Sequence, residues 1–333
     1  MILKIKYSQV LHFIVIMIIM MLVLLTGCQN SESRLTLKLA HALDTNHPVH
    51  KGMVYMANRV RELSEGNMHV KIFANSQLGS ERELVELLQI GLISMTKVSA
   101  STLENFVPEA KVFSMPFIFK DHDHYWRVLK SEVGKRILLS AEKFWVRGLG
   151  YYDAGSRSFY SIESPILKPE DLAGLKVRVM KSQTFIRTII ALGGSATPIS
   201  WGELYTALQQ GVVDAAENNP PSFYYSRHYE ICKHYSLDEH ASPPDVLLIS
   251  THAWNKLTEQ QQQILQTAVD ESIEYQRKLW KKTETEILKI LKKEGVQIYY
   301  PEKAPFRTAV SSVYESFEGT SFYDLIEDVR SIK

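Results

Sequence analysis

Arg178 closes a short apolar run, Leu175-Lys176-Val177-Arg178-Val179-Met180, and a guanidinium in such a run needs an anionic partner. Strand alternation places Leu175, Val177 and Val179 on one face and Lys176, Arg178 and Met180 on the other. The guanidinium stays protonated and offers five donors in a rigid fork, which a ligand carboxylate satisfies with two parallel bonds. An internal pair with Asp or Glu satisfies the same fork. Arg157 stands in the turn Asp153-Ala154-Gly155-Ser156-Arg157-Ser158. Alone it reads as a surface turn residue, and beside Arg178 as a second cation of one site. Asn218 and Asn219 follow a strand, where asparagine either forms a turn or gives a polyol donors and acceptors without charge. Glu81 opens a helix, where the dipole favours a carboxylate, and its other use is to accept bonds from ligand hydroxyls. The loop from His41 to Asp44 and Asn75 also stand at strand ends, where the crevice of an open α/β sheet lies. Trp201 fits either a cover for a sugar face or a core position.

Signatures of catalysis are scarce. The chain has no G-x-S-x-G elbow, no H-E-x-x-H and no Walker A loop, which weighs against the common hydrolase and nucleotide classes. A carboxylate pair of Glu81 with Asp153, acting on uronic-acid glycosides, is the remaining enzymatic alternative. Asp121-His122-Asp123-His124 has the residue types of a zinc site, but neighbours along one helix start do not converge on one point. That stretch is read as a solvated helix cap. No metal or cofactor is expected.

The elements that must hold these residues alternate. Leu35, Leu37 and Leu39 mark a strand, followed by a helix from about Val49 to Leu63. Val70 to Phe73 give a second strand, and Ser80-Glu81-Arg82-Glu83 is a capping box opening a helix to Gly91. The pattern restarts after Tyr152: the Arg178 strand, a helix from about Gln183 to Leu192, a second capping box at Ser200-Trp201-Gly202-Glu203, and a strand beginning at Val212. Strand-helix alternation predicts an α/β fold with mostly parallel pairing, in two lobes with a ligand cleft between them. Thr258 to Lys293 reads as one long C-terminal helix, a strut across both lobes, with Ile264, Ala268, Ile273, Trp280, Ile287, Ile290 and Leu291 as its apolar stripe. The expected division is a first lobe over 35–152, completed by about 245–333, and a second over 153–244.

Lys4 and Lys6 precede an apolar run from Phe13 to Leu25, then Thr26-Gly27-Cys28. The run is shorter than the roughly 20 residues of a membrane span and suits a signal peptide. The ending resembles a bacterial lipobox, which makes 1–27 a signal peptide, Cys28 a lipidated cysteine, and 28–34 a polar tether. An uncleaved anchor helix is the other reading. Both place the remainder outside the cytoplasmic membrane. With Cys28 acylated, Cys232 has no intrachain disulfide partner. The 38 basic and 37 acidic side chains nearly cancel, so no global field attracts nucleic acid or anionic lipid.

Met115-Pro116-Phe117-Ile118-Phe119, Gly174-Leu175-Lys176-Val177-Arg178-Val179, the run from Pro198 to Asp214 and Glu217-Asn218-Asn219-Pro220 resemble the solute-binding proteins of TRAP (tripartite ATP-independent periplasmic) transporters. The resemblance implies a two-lobed, type II periplasmic-binding-protein-like receptor, not an enzyme, that closes over a small organic acid and presents it to a sodium-driven permease. It assigns the carboxylate clamp to Arg178 and a second contact to Arg157. The Asn218-Asn219-Pro220-Pro221 variant, with Ser226-Arg227-His228-Tyr229-Glu230 and the segment from Asp153 to Tyr160, is similar to members that bind hexuronates such as glucuronate and galacturonate. A four-carbon dicarboxylate, one carboxylate on each arginine, is the alternative. Closure is expected to bring His41, Asn75 and Glu81 onto the ligand hydroxyls.

Overall fold

The computed structural model describes residues 10–18, 20 and 34–333. Residues 10–18 and 20 are helical, and among the described residues no helix is long and apolar enough to cross a membrane. Cys28 and the tether as far as Ser33 lie outside the described residues.

The remaining chain builds two mixed sheets. The first contains β1 (Leu35–Ala40), β2 (Met68–Phe73), β3 (Met95–Ser99), β4 (Val146–Tyr152) and β10 (Asp245–Ser250), in the order β2-β1-β3-β10-β4. The second contains β5 (Arg157–Ser161), β6 (Lys176–Val179), β7 (Ser195–Pro198), β8 (Ala215–Asn218), β9 (His234–Ala241) and β11 (Gln297–Tyr299), in the order β11-β9-β5-β8-β6-β7. Pairing is less parallel than the alternation predicts. β10 runs antiparallel to β3 and β4, and β5 antiparallel to β8 and β9. The cause is the pair of short crossovers, 153–156 and 242–244, which join the cleft ends of the two sheets. A strand delivered at that end must run against neighbours that finish there.

Of the two capping boxes read from the sequence, one forms. Ser80 and Glu83 form their reciprocal capping box, as do Thr258 and Gln261. Ser200 does not, because Trp201–Glu203 tighten into a 3-10 turn before the Leu204–Gln209 helix. The strand expected from Val212 starts at Ala215, since the Val212 amide still donates to Ala207 O as part of the preceding helix end. Asp121 caps the His122–Lys130 helix by accepting from the His124 amide at 2.7 Å, as the cap reading requires. Sheet alternation divides the second core. Phe159 packs with Val177 and Phe185 on one face, Tyr160 with Leu204 and Phe223 on the other.

The Glu259–Lys293 helix packs against the Pro48–Leu63 helix, against β4 and against the Pro220–Tyr225 helix, so it braces both lobes as a strut. Of its expected stripe, Ala268, Trp280, Ile287 and Leu291 are buried, whereas Ile264, Ile273 and Ile290 are half-buried. The buried face also carries polar Ser272 and Gln276, because it lies on the crossover. Gln276 Oε1 accepts from the Asp153 amide at 2.9 Å and its Nε2 donates to Asp153 O at 2.8 Å. β11 joins the second sheet, so the C-terminal region does not complete the first lobe alone.

This clamp depends on Gly52 beneath it. A Cβ at that position would lie 2.8 Å from Gln276 Cβ and 2.9 Å from its Cγ. Gly52→Val is therefore expected to cost about 1–3 kcal/mol through overpacking. Thermal unfolding checks this, and an unchanged midpoint would show that the two helices separate freely.

Candidate functional site

The crossovers and strand ends enclose a cleft with about 740 Å³ of empty space that opens to solvent. The first sheet contributes Lys97, Ser99 and Asp245, joined by Glu81 and Thr102. The second contributes Arg157, Arg178 and Asn218, joined by Trp201 from the turn after β7.

Arg178 is buried at 2% exposure. Its Nε donates to Ile199 O at 2.9 Å, its guanidinium faces the Trp201 ring at 5.6 Å, and its buried Nη1 has no hydrogen-bond partner among the described residues. No described carboxylate pairs with it. Burial lowers its pKa from the usual arginine value, because the charge has lost water without gaining a counter-ion. Trp201 is backed edge-on by His228, whose Nδ1 pairs with Tyr160 Oη at 2.9 Å. Arg178 thus lines the cleft with a desolvated guanidinium whose Nη1 is unsatisfied among the described residues.

Arg157 differs. Its Nε and Nη2 donate to Glu217 Oε2 and Oε1 at 2.5 and 2.9 Å, and its Nη1 to Asn218 Oδ1 at 2.8 Å. It lines the cleft, but Glu217 already neutralises it, so it is not a second free clamp. His240 lies behind Glu217 at 3.7 Å and accepts support from Asp238 at 2.8 Å. Although burial opposes its charge, Asp238 and Glu217 raise the His240 pKa to about 9. Asn218 Oδ1 also accepts from the Asn219 amide at 2.9 Å, which leaves Asn218 Nδ2 as the group without an internal bond among the described residues. Asn219 uses both ends of its amide: Oδ1 caps the Pro220–Tyr225 helix at Ser222 N, and Nδ2 donates to Ala154 O.

Glu81 lines the cleft with Oε1 held by Lys97 Nζ at 3.0 Å and Oε2 by Thr102 Oγ1 at 2.9 Å and Ser99 N at 3.2 Å. Lys97 also donates to Asp245 Oδ1 at 3.1 Å. Burial alone would lower the Lys97 pKa, but Asp245 and Glu81 hold it above the usual lysine value. One ammonium shared by two carboxylates leaves Asp245 the readier to keep a proton, with burial as the main cause and Glu81 adding to it. Lys97 and Asp245 escaped the sequence reading. Their signal was that of Arg178, a lone charge in an apolar strand: Met95-Thr96-Lys97-Val98 and Asp245-Val246-Leu247-Leu248.

His41 and Asn75 do not line the cleft. His41 is buried, accepting from Leu43 N at 3.1 Å and pairing with His50 at 2.9 Å. Asn75 is an exposed turn residue at φ +54°, its amide donating to Leu43 O. Both fix the loop rather than reach into the crevice. Asp153 faces a different cavity from Glu81 and accepts from Trp126, Gly155 and His122, so the two do not form the carboxylate pair of a glycosidase.

Buried histidines set the pH response of this region. Burial lowers His41 to about 2 and His228 to about 3, from 6.5. Their folded values lie below the unfolded one, so their contribution is complete above about pH 6.5 and is lost as pH falls toward 3, by up to about 1.4 kcal/mol per pH unit each. His240 has the opposite sign: its contribution is complete below 6.5 and is lost as pH rises through about 9. Urea midpoints are expected to peak near neutrality. A flat profile from pH 7 to 4 would exclude the neutral histidines as its cause.

A two-lobed α/β receptor with one desolvated arginine fork in its cleft is the class defined by fold and site. The chain belongs to bacterial extracellular solute-binding protein family 7 (DctP), whose model matches residues 39–320. It is a TRAP solute-binding receptor, extracytoplasmic and not an enzyme. It is 39% identical over 306 residues to the uncharacterized protein YiiZ of Salmonella typhimurium, covering 91% of this chain and 93% of that one. A TRAP periplasmic solute-binding protein of Xanthobacter autotrophicus, with bound β-D-galacturonate, superposes with TM-score 0.86 at 35% identity, covering 89% of this chain and 100% of the other. That of Pseudomonas putida F1, with bound D-glucuronate, gives 0.87 at 35% identity, covering 90% and 98%.

Proposed function

We propose that this receptor captures a hexuronate, D-glucuronate or D-galacturonate, and delivers it to a sodium-coupled TRAP permease. The observation that carries the reading is the asymmetry of the cleft. Arg178 has no carboxylate partner among the described residues, while the facing wall holds Glu81 and Asp245 around a single Lys97. A monoacid sugar matches both ends: its carboxylate takes the Arg178 fork, and its hydroxyls bond to Glu81, Asp245 and the Asn218 amide. Placed against the facing wall, the second carboxylate of a four-carbon diacid would meet two carboxylates around a Lys97 they already share, and Arg157 is held by Glu217. Contacts from both walls favour the shut state, with lobes dividing near Tyr152 and Asp245. Trp201 covers the ring, and lipid at Cys28 tethers the receptor to the membrane.

Thermal unfolding against glucuronate, galacturonate and malate tests the reading. A ligand at a hundredfold its dissociation constant stabilises by about 2.7 kcal/mol. Either uronate is expected to raise the midpoint and malate to leave it. An equal rise with malate would reverse the assignment.

A further inference from the structure

Glu104 lies just beyond β3, at the end of the Ala100–Leu103 helix, and is buried at 6% exposure. Its partners follow the other sheet. Ser182 Oγ donates to Glu104 Oε1 at 2.7 Å, and the Thr184 amide donates to the same oxygen at 3.1 Å. Ser182 is the N-cap of the Gln183–Ala191 helix, which comes directly after β6 and Arg178. Beside this contact, Asn105 Nδ2 donates to Lys181 O at 2.6 Å. A carboxylate carried by the first sheet thus satisfies an amide in the first turn of a helix carried by the second, where the helix dipole favours an anion.

β3 is one strand from β10, and β6 is two strands from β5. β10 and β5 are strands that the crossovers 242–244 and 153–156 lead into, so the contact stands roughly 5 to 10 Å to one side of them. Rotation of one lobe against the other pulls it apart. Met180 and Lys181 line the acid cleft, whereas Glu104 and Ser182 do not, so Glu104 acts without touching the ligand. Its Oε2 is buried and has no hydrogen-bond partner among the described residues. Bringing the lobes together strips that oxygen of water and gives it no donor in return. The bonds to Oε1 favour the shut state and the bare Oε2 opposes it. The contact is therefore too weak to hold an empty receptor shut, and it adds to what a ligand contributes.

We propose that Glu104 is an interlobe latch, a positioning residue that sets how tightly the receptor grips every acid it closes on without choosing among them. It rests on the lobe closure proposed above and on no particular acid. A bond made only in the shut state shifts the closure equilibrium alone, and so multiplies all affinities by one factor.

Glu104→Ala and Glu104→Gln, compared with the parent chain by calorimetry, stopped flow and thermal unfolding against glucuronate, galacturonate and malate, test the latch. For each acid that the parent binds, Glu104→Ala is expected to weaken affinity about tenfold. The ratio between acids is expected to stay the same, and the loss to fall on the dissociation rate. The ligand-free midpoint is expected to hold, since the open receptor does not make these bonds. Glu104→Gln keeps an acceptor oxygen without the charge and is expected to recover part of the affinity. Unchanged affinity overturns the latch. A lowered ligand-free midpoint overturns it as well, because the bonds would then persist in the empty receptor and only cap the helix. A loss confined to one acid places Glu104 at the ligand, which also overturns it. Uniform behaviour seen with malate but no binding of either uronate sinks the hexuronate reading and leaves the latch standing. Binding of none of the three acids removes both.

Discussion

Arg178→Ala is expected to abolish measurable uronate binding while the receptor stays folded. Two charge-assisted bonds at about 1.5–3 kcal/mol each amount to roughly 3–6 kcal/mol, and each 1.4 kcal/mol is about tenfold in affinity. A receptor binding in the micromolar range would pass beyond the reach of calorimetry. Stability responds differently because no described carboxylate pairs with Arg178. Its removal strands no buried counter-ion and relieves a desolvated charge, so the unfolding midpoint is expected to hold or rise. Such opposition of function and stability is usual at binding sites. Arg178→Lys keeps the charge but not the planar fork, and is expected to fall between the two. If calorimetry finds the alanine variant within tenfold of the parent, Arg178 is not the clamp.

The fork was legible because it violated its context: an ion in an apolar strand has few explanations. Lys97 violated its context in the same way and went unread, since a lysine next to Thr96 could pass as a strand edge. Both of its partners come from elsewhere in the chain, Glu81 from a helix start and Asp245 from 148 residues further on. The second sheet strand order and the antiparallel return strands were likewise hidden, because hydrophobic periodicity records which face is buried and not which direction a neighbour runs. His41 and Asn75 were misplaced for a related reason. Both stand after strands, as binding residues do, but their two loops are bonded to each other through backbone groups that leave no mark on composition. Arg157 illustrates the sharpest limit. Both arginines of one lobe are legible in the sequence, whereas the fold alone sets Glu217 against one and not the other.

That difference makes Glu217 the position where the largest loss of stability is expected. Its side chain is fully buried between Arg157 and His240. Burial would raise its pKa, but Arg157 and then His240 outweigh this and hold it ionised below the usual carboxylate range. Glu217→Gln leaves a buried guanidinium beside a histidine already charged by Asp238, and removing one partner of such a pair costs about 3–5 kcal/mol. Chemical denaturation measures that loss, and a change below about 1 kcal/mol would mean that water reaches the cluster. The Arg157→Met, Glu217→Leu double variant separates structure from binding. Replacing both ions with apolar groups is expected to restore most of the stability. Asn218 then loses its 2.8 Å bond from Arg157, and its amide is freer to turn away from the ligand. Recovered stability with weakened uronate affinity would identify Arg157 as the residue that positions Asn218. Recovered stability with unchanged affinity would confine the pair to folding and leave Arg178 the sole cationic contact of the second sheet.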